Sequence, residues 1–396
     1  MSETDIVLLA PATWSVATSL PHYTARVLAK TNRVLIVEPL TAVSTLIREA
    51  RWQKRDWTFK HGIRQLDRNL WLYTPPALGL PGHMRAKFVG NCNARIASVF
   101  INRVIRQLAF HNPLIWTFGY NTASLIRHLS GRLRIYDCGD NFEAFARNDR
   151  QRKLVRFYET ETCKAADLVF ACTEELAEAR SAPDRATYAV PCAAELEFFG
   201  QAILDDTVVP ADIAGFAKPV IGYVGGCDPL RLDLDLIRHV ASTHPEWSLV
   251  FVGYIWFGFD KGKLADLPNV HFLGSKSYSN FPAYLKGMDV CIAPFHRNEL
   301  TRYGDMLKIY EYLASGRPVV STTNPAARRL EPTVRIADDP VDFVAAIEAE
   351  LTAPESARDQ RMLAVQPHNW DNRVKEKWRL MERFLKAAGS DHPGPG

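Results

Sequence analysis

Short apolar, β-rich runs alternate with amphipathic stretches along almost the whole chain. In the first half the runs are Ile6–Ala10, Arg33–Glu38, Leu70–Thr74, Leu114–Phe118, Arg134–Asp137 and Leu168–Cys172, with helical stretches such as His83–Leu108 and Arg150–Ala166 between them. Brief apolar strands separated by helices predict a parallel sheet covered on both faces. The rhythm restarts at Val220–Val224 and continues through Leu249–Gly253, Val270–Leu273, Val290–Ala293, Val319–Ser321 and Val334–Ala337. Its predicted helices are Leu232–Ser242, Phe281–Lys286, Met306–Ser315 and Pro340–Leu351. The stretch Gly200–Pro219 has Pro, Gly and no clear period, and reads as the junction. The expected organisation is therefore two α/β domains, 1–200 and 201–368. A last helix over 369–388 carries Trp370, Val374, Trp378, Met381 and Leu385 on one stripe. It either caps its own domain or packs back on the first, and a disordered tail follows over 389–396.

Composition narrows the class. A chain of 396 residues that is 47% hydrophobic and 23% charged is neither disordered, collagenous nor coiled coil. No apolar run reaches the roughly 18–20 residues that span a bilayer, and the apolar stretch in MSETDIVLLA is too short for a signal peptide. Seven cysteines, an odd number without C-x-x-C or a Cys/His cluster, read as reduced thiols of a cytosolic protein and argue against a zinc site. The net charge of +4 conceals a split. Residues 1–200 hold 26 Lys and Arg against 19 Asp and Glu, and the remainder 22 against 25. Much of the basic excess lies in residues 48–68, where seven cations and three acids interleave with Trp52, Trp57 and Phe59. That mixture suits an anionic bilayer surface; a plain exposed hairpin insertion accounts for it equally. No nucleic-acid-binding module is visible, so nucleic acid is not an expected partner.

In doubly wound sheets ligands bind beyond the carboxyl ends of the strands, so the chemistry is sought in those loops. The run IGYVGG places Gly225 and Gly226 at a strand-to-helix turn, where a backbone can approach a ligand closely. There is no G-x-G-x-x-G, so the dinucleotide fingerprint is absent. In residues 291–322, CIAPFHRNELTRYGDMLKIYEYLASGRPVVST, a strand leads through the polar loop His296–Asp305 into a helix that carries Lys308 and Glu311 on one face. A cation and a carboxylate so placed could hold a diphosphate and a ribose diol, or could be an ordinary surface ion pair. Asp233 and Asp235 fall inside a predicted helix and read as a solvated face, not a metal site.

The segments GYVGG, RLDLDLI, VFVGY, NVHFLGSKSYSNFPAYLKGMDVCIAPF, NELT and K-x-x-E-Y-L-A-S-G-x-P-V-V-S-T together resemble the donor domain of a family-4-type retaining glycosyltransferase. Within that family the resemblance is to bacterial envelope-polysaccharide transferases, including teichuronic-acid-type ones. It is specific over Val220–Pro332 and extends more weakly through RIYDCGDNFEAF and ADLVFACTEELAE. It implies a GT-B fold: two facing Rossmann-like doubly wound parallel-sheet domains with a cleft between them. It also implies a nucleoside diphosphate sugar as co-substrate, no other cofactor and no metal. By the same resemblance Gly225 and Gly226 border the donor diphosphate, Arg231 and Lys308 neutralise it, and Glu311 binds the ribose hydroxyls. Phe272 and Gly274 belong to the segment whose backbone meets the base. Two departures stand out. Tyr303 occupies the position of the family's usual second glutamate, which leaves Glu299, within the donor-side stretch Glu299, Leu300 and Thr301, as the candidate for the sugar hydroxyls. Pro191-Cys192-Ala193-Ala194-Glu195 stands where many relatives have N-G-V-D.

On the acceptor side the loops Pro11–Ser15, Thr117–Asn121 and Cys138–Asn141 follow strands. Asp140 is the candidate carboxylate for positioning or weakly activating an acceptor, with Asn141 beside it, although Asp and Asn also favour helix N-caps. Trp14, Trp116 and Tyr120 could stack on sugar rings or simply belong to the core. The expected function is metal-independent, retaining transfer of a sugar to a glycan or lipid-linked acceptor in envelope polysaccharide synthesis, in the cytoplasm or at the inner face of the plasma membrane. The alternatives are a non-catalytic GT-B subunit and a nucleotide-sugar epimerase.

Overall fold

The computed structural model describes residues 4–14, 19–42, 61–81, 87–354 and 356–390. Most of the basic segment 48–68, namely 48–60, lies outside them, as do Ser15 and residues 391–396 of the tail. The chain divides into two compact units, Met1–Val190 with Val374–Gly396, and Pro191–Arg373.

Among the described residues the first unit's strands are β1 (Asp5–Leu9), β2 (Arg33–Val37), β3 (Gly62–Asp67), β4 (Leu70–Thr74), β5 (Leu114–Thr117), β6 (Leu133–Cys138), β7 (Leu168–Ala171) and β8 (Ala186–Ala189). They form one sheet in the order β3-β4-β2-β1-β5-β6-β7-β8, parallel except for β3 against β4. Alternate residues of a strand point to opposite faces, and here both faces are apolar. Ile6 and Leu8 of β1 join one core with Val34, Ile36, Trp116 and Phe170. Val7 and Leu9 join the other, with Ala97, Ile101 and Val104 of the helix Lys87–Gln107.

The first of these cores is closed by the end of the chain. Val374, Trp378 and Met381 of the helix Trp370–Ser390 are buried in it, each worth about 1.5–3 kcal/mol of apolar burial. The same helix sends Lys377 inward, its ammonium 2.8 and 2.6 Å from the two carboxylate oxygens of Asp137 on β6. Trp116 Nε1 donates to the same carboxylate at 3.1 Å. The helix runs to Ser390, so Gly389 and Ser390 are helical where the sequence suggested the start of a disordered tail.

The second unit's strands, β9 (Val220–Val224), β10 (Ser248–Val252), β11 (Val270–Gly274), β12 (Val290–Ala293), β13 (Val319–Ser321) and β14 (Val334–Ile336), form a parallel sheet in the order β11-β10-β9-β12-β13-β14. The chain enters and leaves this unit side by side: Ala194 N–H donates to the His368 carbonyl at 3.0 Å, and Ala194 bridges Asn369. Asp305, whose carboxylate is fully buried, accepts from Cys192 N–H at 2.6 Å and from Arg329 at 2.9 Å. The boundary between the units falls at Val190/Pro191, ten residues before the junction read from the sequence, and the last helix returns to the first unit from Val374.

Candidate functional site

Three strands of the second unit end on glycines. Gly225 N–H donates to the Val252 carbonyl at 2.8 Å, and Gly253 N–H to the Gly274 carbonyl at 2.9 Å, so the ladder continues past the strand ends. At Gly225 the glycine is required twice over. Its φ is +155°, and a Cβ there would lie 1.7 Å from Cε of Lys308. Lys308 thus lies over the Gly225 backbone, its ammonium 5.9 Å from the centroid of the Tyr223 ring.

The helix that carries Lys308, Leu307–Ala314, is locked onto this turn by Tyr312. The Tyr312 hydroxyl accepts from Val224 N–H at 2.9 Å and donates to the Val224 carbonyl at 3.0 Å. Tyr223 hydroxyl donates to the Gly226 carbonyl at 3.1 Å, fixing the turn from below. Tyr312, the last residue of K-x-x-E-Y, is a positioning residue that the sequence reading passed over; its place beside the conspicuous glutamate was the available signal.

Glu311, one turn along the helix, is buried. Burial pushes its carboxyl up to about 7, Lys308 pulling it down and Glu195 pushing it further up. Burial likewise lowers Lys308, against the attraction of Glu311 and with repulsion from Arg231. Among the described residues neither Lys308 nor Glu311 makes a hydrogen bond or an ion pair, so the pair is not a surface salt bridge. A buried acid and a half-buried base without a hydrogen bond or ion pair are costly to the fold, and mark a site that an anion and a hydrogen-bond donor would complete.

The neighbouring loops are tied to this floor. Arg231 holds Asp228 at 2.8 Å, and its carbonyl accepts from His296 N–H at 2.7 Å. Asn298 donates to the Leu230 carbonyl at 2.8 Å. The stretch NELT is a capping box: Asn298 accepts from Leu300 and Thr301 N–H, and Thr301 hydroxyl accepts from Asn298 N–H at 3.1 Å. Leu300 is in the core, and the Thr301 hydroxyl donates back to the His296 carbonyl. Their side chains are therefore spent on shaping the loop, while Glu299, at the first position of the helix Glu299–Tyr303, is exposed. Phe272 stacks on Phe251 at 5.1 Å, and Gly274 takes a φ of +70° at the end of β11. Asp233 is the N-cap of a helix that begins at Leu234 and accepts from Asp235 and Leu236 N–H; the solvated-face reading is corrected for that residue.

In the first unit, Trp116 is wholly buried and bonded to Asp137, so its ring is closed to any sugar. Trp14 is stacked on His22 at 3.9 Å, and Tyr120 lies against Phe142 at 5.0 Å. Asn141 precedes the short helix Phe142–Phe145 without a side-chain cap bond; Asp140 stands beside it, partly exposed. None of these lines a cavity of about 420 Å3 that opens at the ends of β1, β2 and β5 and is lined by Leu9, Glu38, Asn91, Asn121, Arg127 and Tyr158 among others. The strand order reverses between β1 and β5, the place where doubly wound sheets hold ligands. Of the sequence-derived acceptor loops only Thr117–Asn121, through Gly119 and Asn121, and the start of Pro11–Ser15, through Pro11, reach it.

Gly225→Ala should displace Lys308 and strain the turn. A lower urea midpoint than wild type is the expected result.

The sequence and the fold both have known relatives. Residues 218–352 match the family model for glycosyl transferases group 1. A putative teichuronic acid biosynthesis glycosyltransferase of Bacillus subtilis (strain 168), TuaH, is 26% identical over 257 residues. That match covers 60% of this chain and 64% of TuaH, just under two thirds of its length. Sucrose-phosphate synthase from Thermosynechococcus elongatus superimposes with a TM-score of 0.71 at 15% identity, covering 97% of this chain and 100% of that one. Anabaena HepE, solved in complex with UDP and glucose, does so with a TM-score of 0.64 at 14% identity, covering 95% and 99%. The chain thus consists of two Rossmann-like units with the GT-B fold, and its residues 218–352 are similar to the glycosyl transferases group 1 family.

Proposed function

We propose that the protein is a retaining glycosyltransferase that needs no metal and moves a sugar from a nucleoside diphosphate sugar to a glycan or lipid-linked acceptor in envelope polysaccharide synthesis. The observation that carries this reading is the pair Lys308 and Glu311: a cation seated over Gly225 and a buried carboxylate one turn away, neither in a hydrogen bond or ion pair among the described residues. The diphosphate lies against Gly225, Gly226 and the Lys308 ammonium, and the ribose diol donates to Glu311. Departure of the nucleoside diphosphate concentrates negative charge where Lys308 and Arg231 already stand, and such preorganised cations stabilise a leaving group without reorganising. The group 1 match and the resemblance to TuaH support the reaction class and the envelope role. The UDP and glucose in the Anabaena HepE complex support a nucleotide-sugar donor. The first unit takes the acceptor, with Asp140, Asn141 and the cavity at the β1/β5 reversal as its candidate contacts. The basic segment 48–68 meets an anionic membrane surface.

The test is donor binding and turnover across UDP-, GDP- and dTDP-sugars. Lys308→Ala and Glu311→Ala should each lower donor turnover at least tenfold with unfolding temperatures close to wild type; wild-type rates in both would overturn the proposal. One observation favours a second reading, a non-catalytic subunit. Tyr303 stands where a carboxylate is usual, and Glu299 is exposed. Donor binding without turnover or hydrolysis would select it.

A further inference from the structure

The loop that follows β10 carries a surplus of exposed aromatic surface. Tyr254 is 58% exposed, Trp256 55% and Phe257 91%. The loop is nonetheless held rigidly. Cys227 N–H donates to the Tyr254 carbonyl at 2.8 Å, Trp256 N–H to the Cys227 carbonyl at 3.0 Å, and Phe259 N–H to the Trp256 carbonyl at 3.0 Å. Phe259 is buried against Phe272, ring centroids 5.9 Å apart, and anchors the base of the loop. Trp256 leans over Gly226, where a Cβ would meet its indole nitrogen at 2.6 Å, so that glycine makes room for the ring. Tyr254 and Trp256 are set edge to face at 5.6 Å. A rigid mount for side chains that stand in water needs a partner, because exposed apolar surface that is held in place, not left to collapse, marks an interaction site.

The shape and chemistry of the loop decide between partners. A small ligand binds in a concavity, whereas Phe257, almost wholly exposed, stands out from the surface. Tyr and Trp behind a protruding Phe match the layering of a bilayer interface, where amphipathic rings sit at headgroup level. Lys261 and Lys263 lie in the next turn, Lys261–Leu264, and are exposed. Between Tyr254 and Phe259 there is no acidic side chain, and the exposed Asp260 that follows accepts from Gly262 N–H at 3.1 Å, capping the lysine turn. Among the described residues no helix is long and apolar enough to cross a membrane, so contact through this loop would be with one leaflet.

We propose that Tyr254–Gly258 is a membrane-interface loop: Phe257 enters the acyl region, Trp256 and Tyr254 lie among the headgroups, and Lys261 and Lys263 meet anionic lipid. This contact is separate from the one ascribed above to residues 48–68 and holds whatever sugar is transferred. Because Trp256 packs on Gly226, lipid engagement would bear directly on the glycine turn of the donor site.

The full-length protein is sedimented with vesicles of phosphatidylcholine alone and of phosphatidylcholine with phosphatidylglycerol. Wild type should bind, more tightly to the anionic vesicles. Phe257→Asp should lower binding to both at least tenfold with an unchanged unfolding temperature, and Trp256→Asp should do the same. Charge reversal of Lys261 and Lys263 should weaken binding to the anionic vesicles only. Failure of the wild type to bind either vesicle, or wild-type binding by Phe257→Asp, would overturn the proposal. So would a lipid-free dimer that Phe257→Asp dissociates, since the patch would then belong to a second copy of the chain.

Discussion

Glu311→Gln should yield a protein that is more stable than wild type at pH 8 and defective in holding its donor. Burial raises the Glu311 carboxyl from an ordinary value of 4.5 to about 7. The folded state therefore binds more protons than the unfolded state between those values, and stability falls as pH rises through that window. Above pH 7 the accumulated cost is about 3 kcal/mol at most, at 1.36 kcal/mol per pKa unit. Glutamine does not titrate and escapes it. Loss of the attraction that Glu311 exerts on Lys308 subtracts from the gain, so about 3 kcal/mol is a ceiling. Denaturant titrations from pH 4 to 8 should show the variant and wild type converging below about pH 4.5 and separating upward. Donor affinity should run the other way. An ionised carboxylate accepts from both hydroxyls of a ribose diol, whereas the glutamine amide offers one acceptor oxygen. Wild-type affinity should therefore rise as pH passes about 7, and the variant should be weaker by at least tenfold and flat with pH. A wild type whose donor affinity ignores pH between 6 and 8 would remove Glu311 from the site.

Lys377→Ala should be the most damaging change far from the candidate site. Lys377 and Asp137 are both almost inaccessible, and the ammonium touches both carboxylate oxygens. Removing the cation leaves Asp137 buried with only the Trp116 indole as partner. Stranding one member of a buried pair typically costs about 3–5 kcal/mol. Lys377→Met should be similar, because volume is not what is lost. The double variant Lys377→Met/Asp137→Leu should recover most of the loss, since replacing both charges by apolar groups is often close to neutral. The residual is the orphaned Trp116 N–H, about 1–3 kcal/mol. Urea unfolding of the three variants checks this; additive losses in the double variant would mean that the two groups act independently. Because the pair joins the final helix to β6, the unfolding of the first unit should carry the whole effect.

The architecture was largely legible because buried parallel strands are apolar on both faces and so stand out as short unbroken runs. The runs that escaped were edge strands. β3, Gly62–Asp67, is polar, mostly exposed and paired on one side only, and β8, Ala186–Ala189, is four half-buried residues at the other edge. Side-chain roles were less legible, for a related reason. Trp116 sits at a strand end, where sequence does not say which face it takes; it takes the face covered by the final helix. NELT looked like a ligand loop, and its asparagine and threonine proved to cap each other, because hydroxyl and amide groups serve backbone and ligand with the same chemistry. The spacing of Lys308 and Glu311 was plain in the sequence. The burial of Glu311, and the seating of Lys308 over Gly225, depend on chain more than eighty residues away.

The adjacency of Ala194 and His368 gives the second unit the topology of a cassette. It is one uninterrupted piece of chain whose two ends meet, set into a first unit that must wait for its last helix before its own core closes. During synthesis the inserted half can therefore finish folding while its host is still incomplete. In descent, likewise, one inserted half could be exchanged for another through a single pair of neighbouring joints, leaving the Lys377–Asp137 closure of the host untouched.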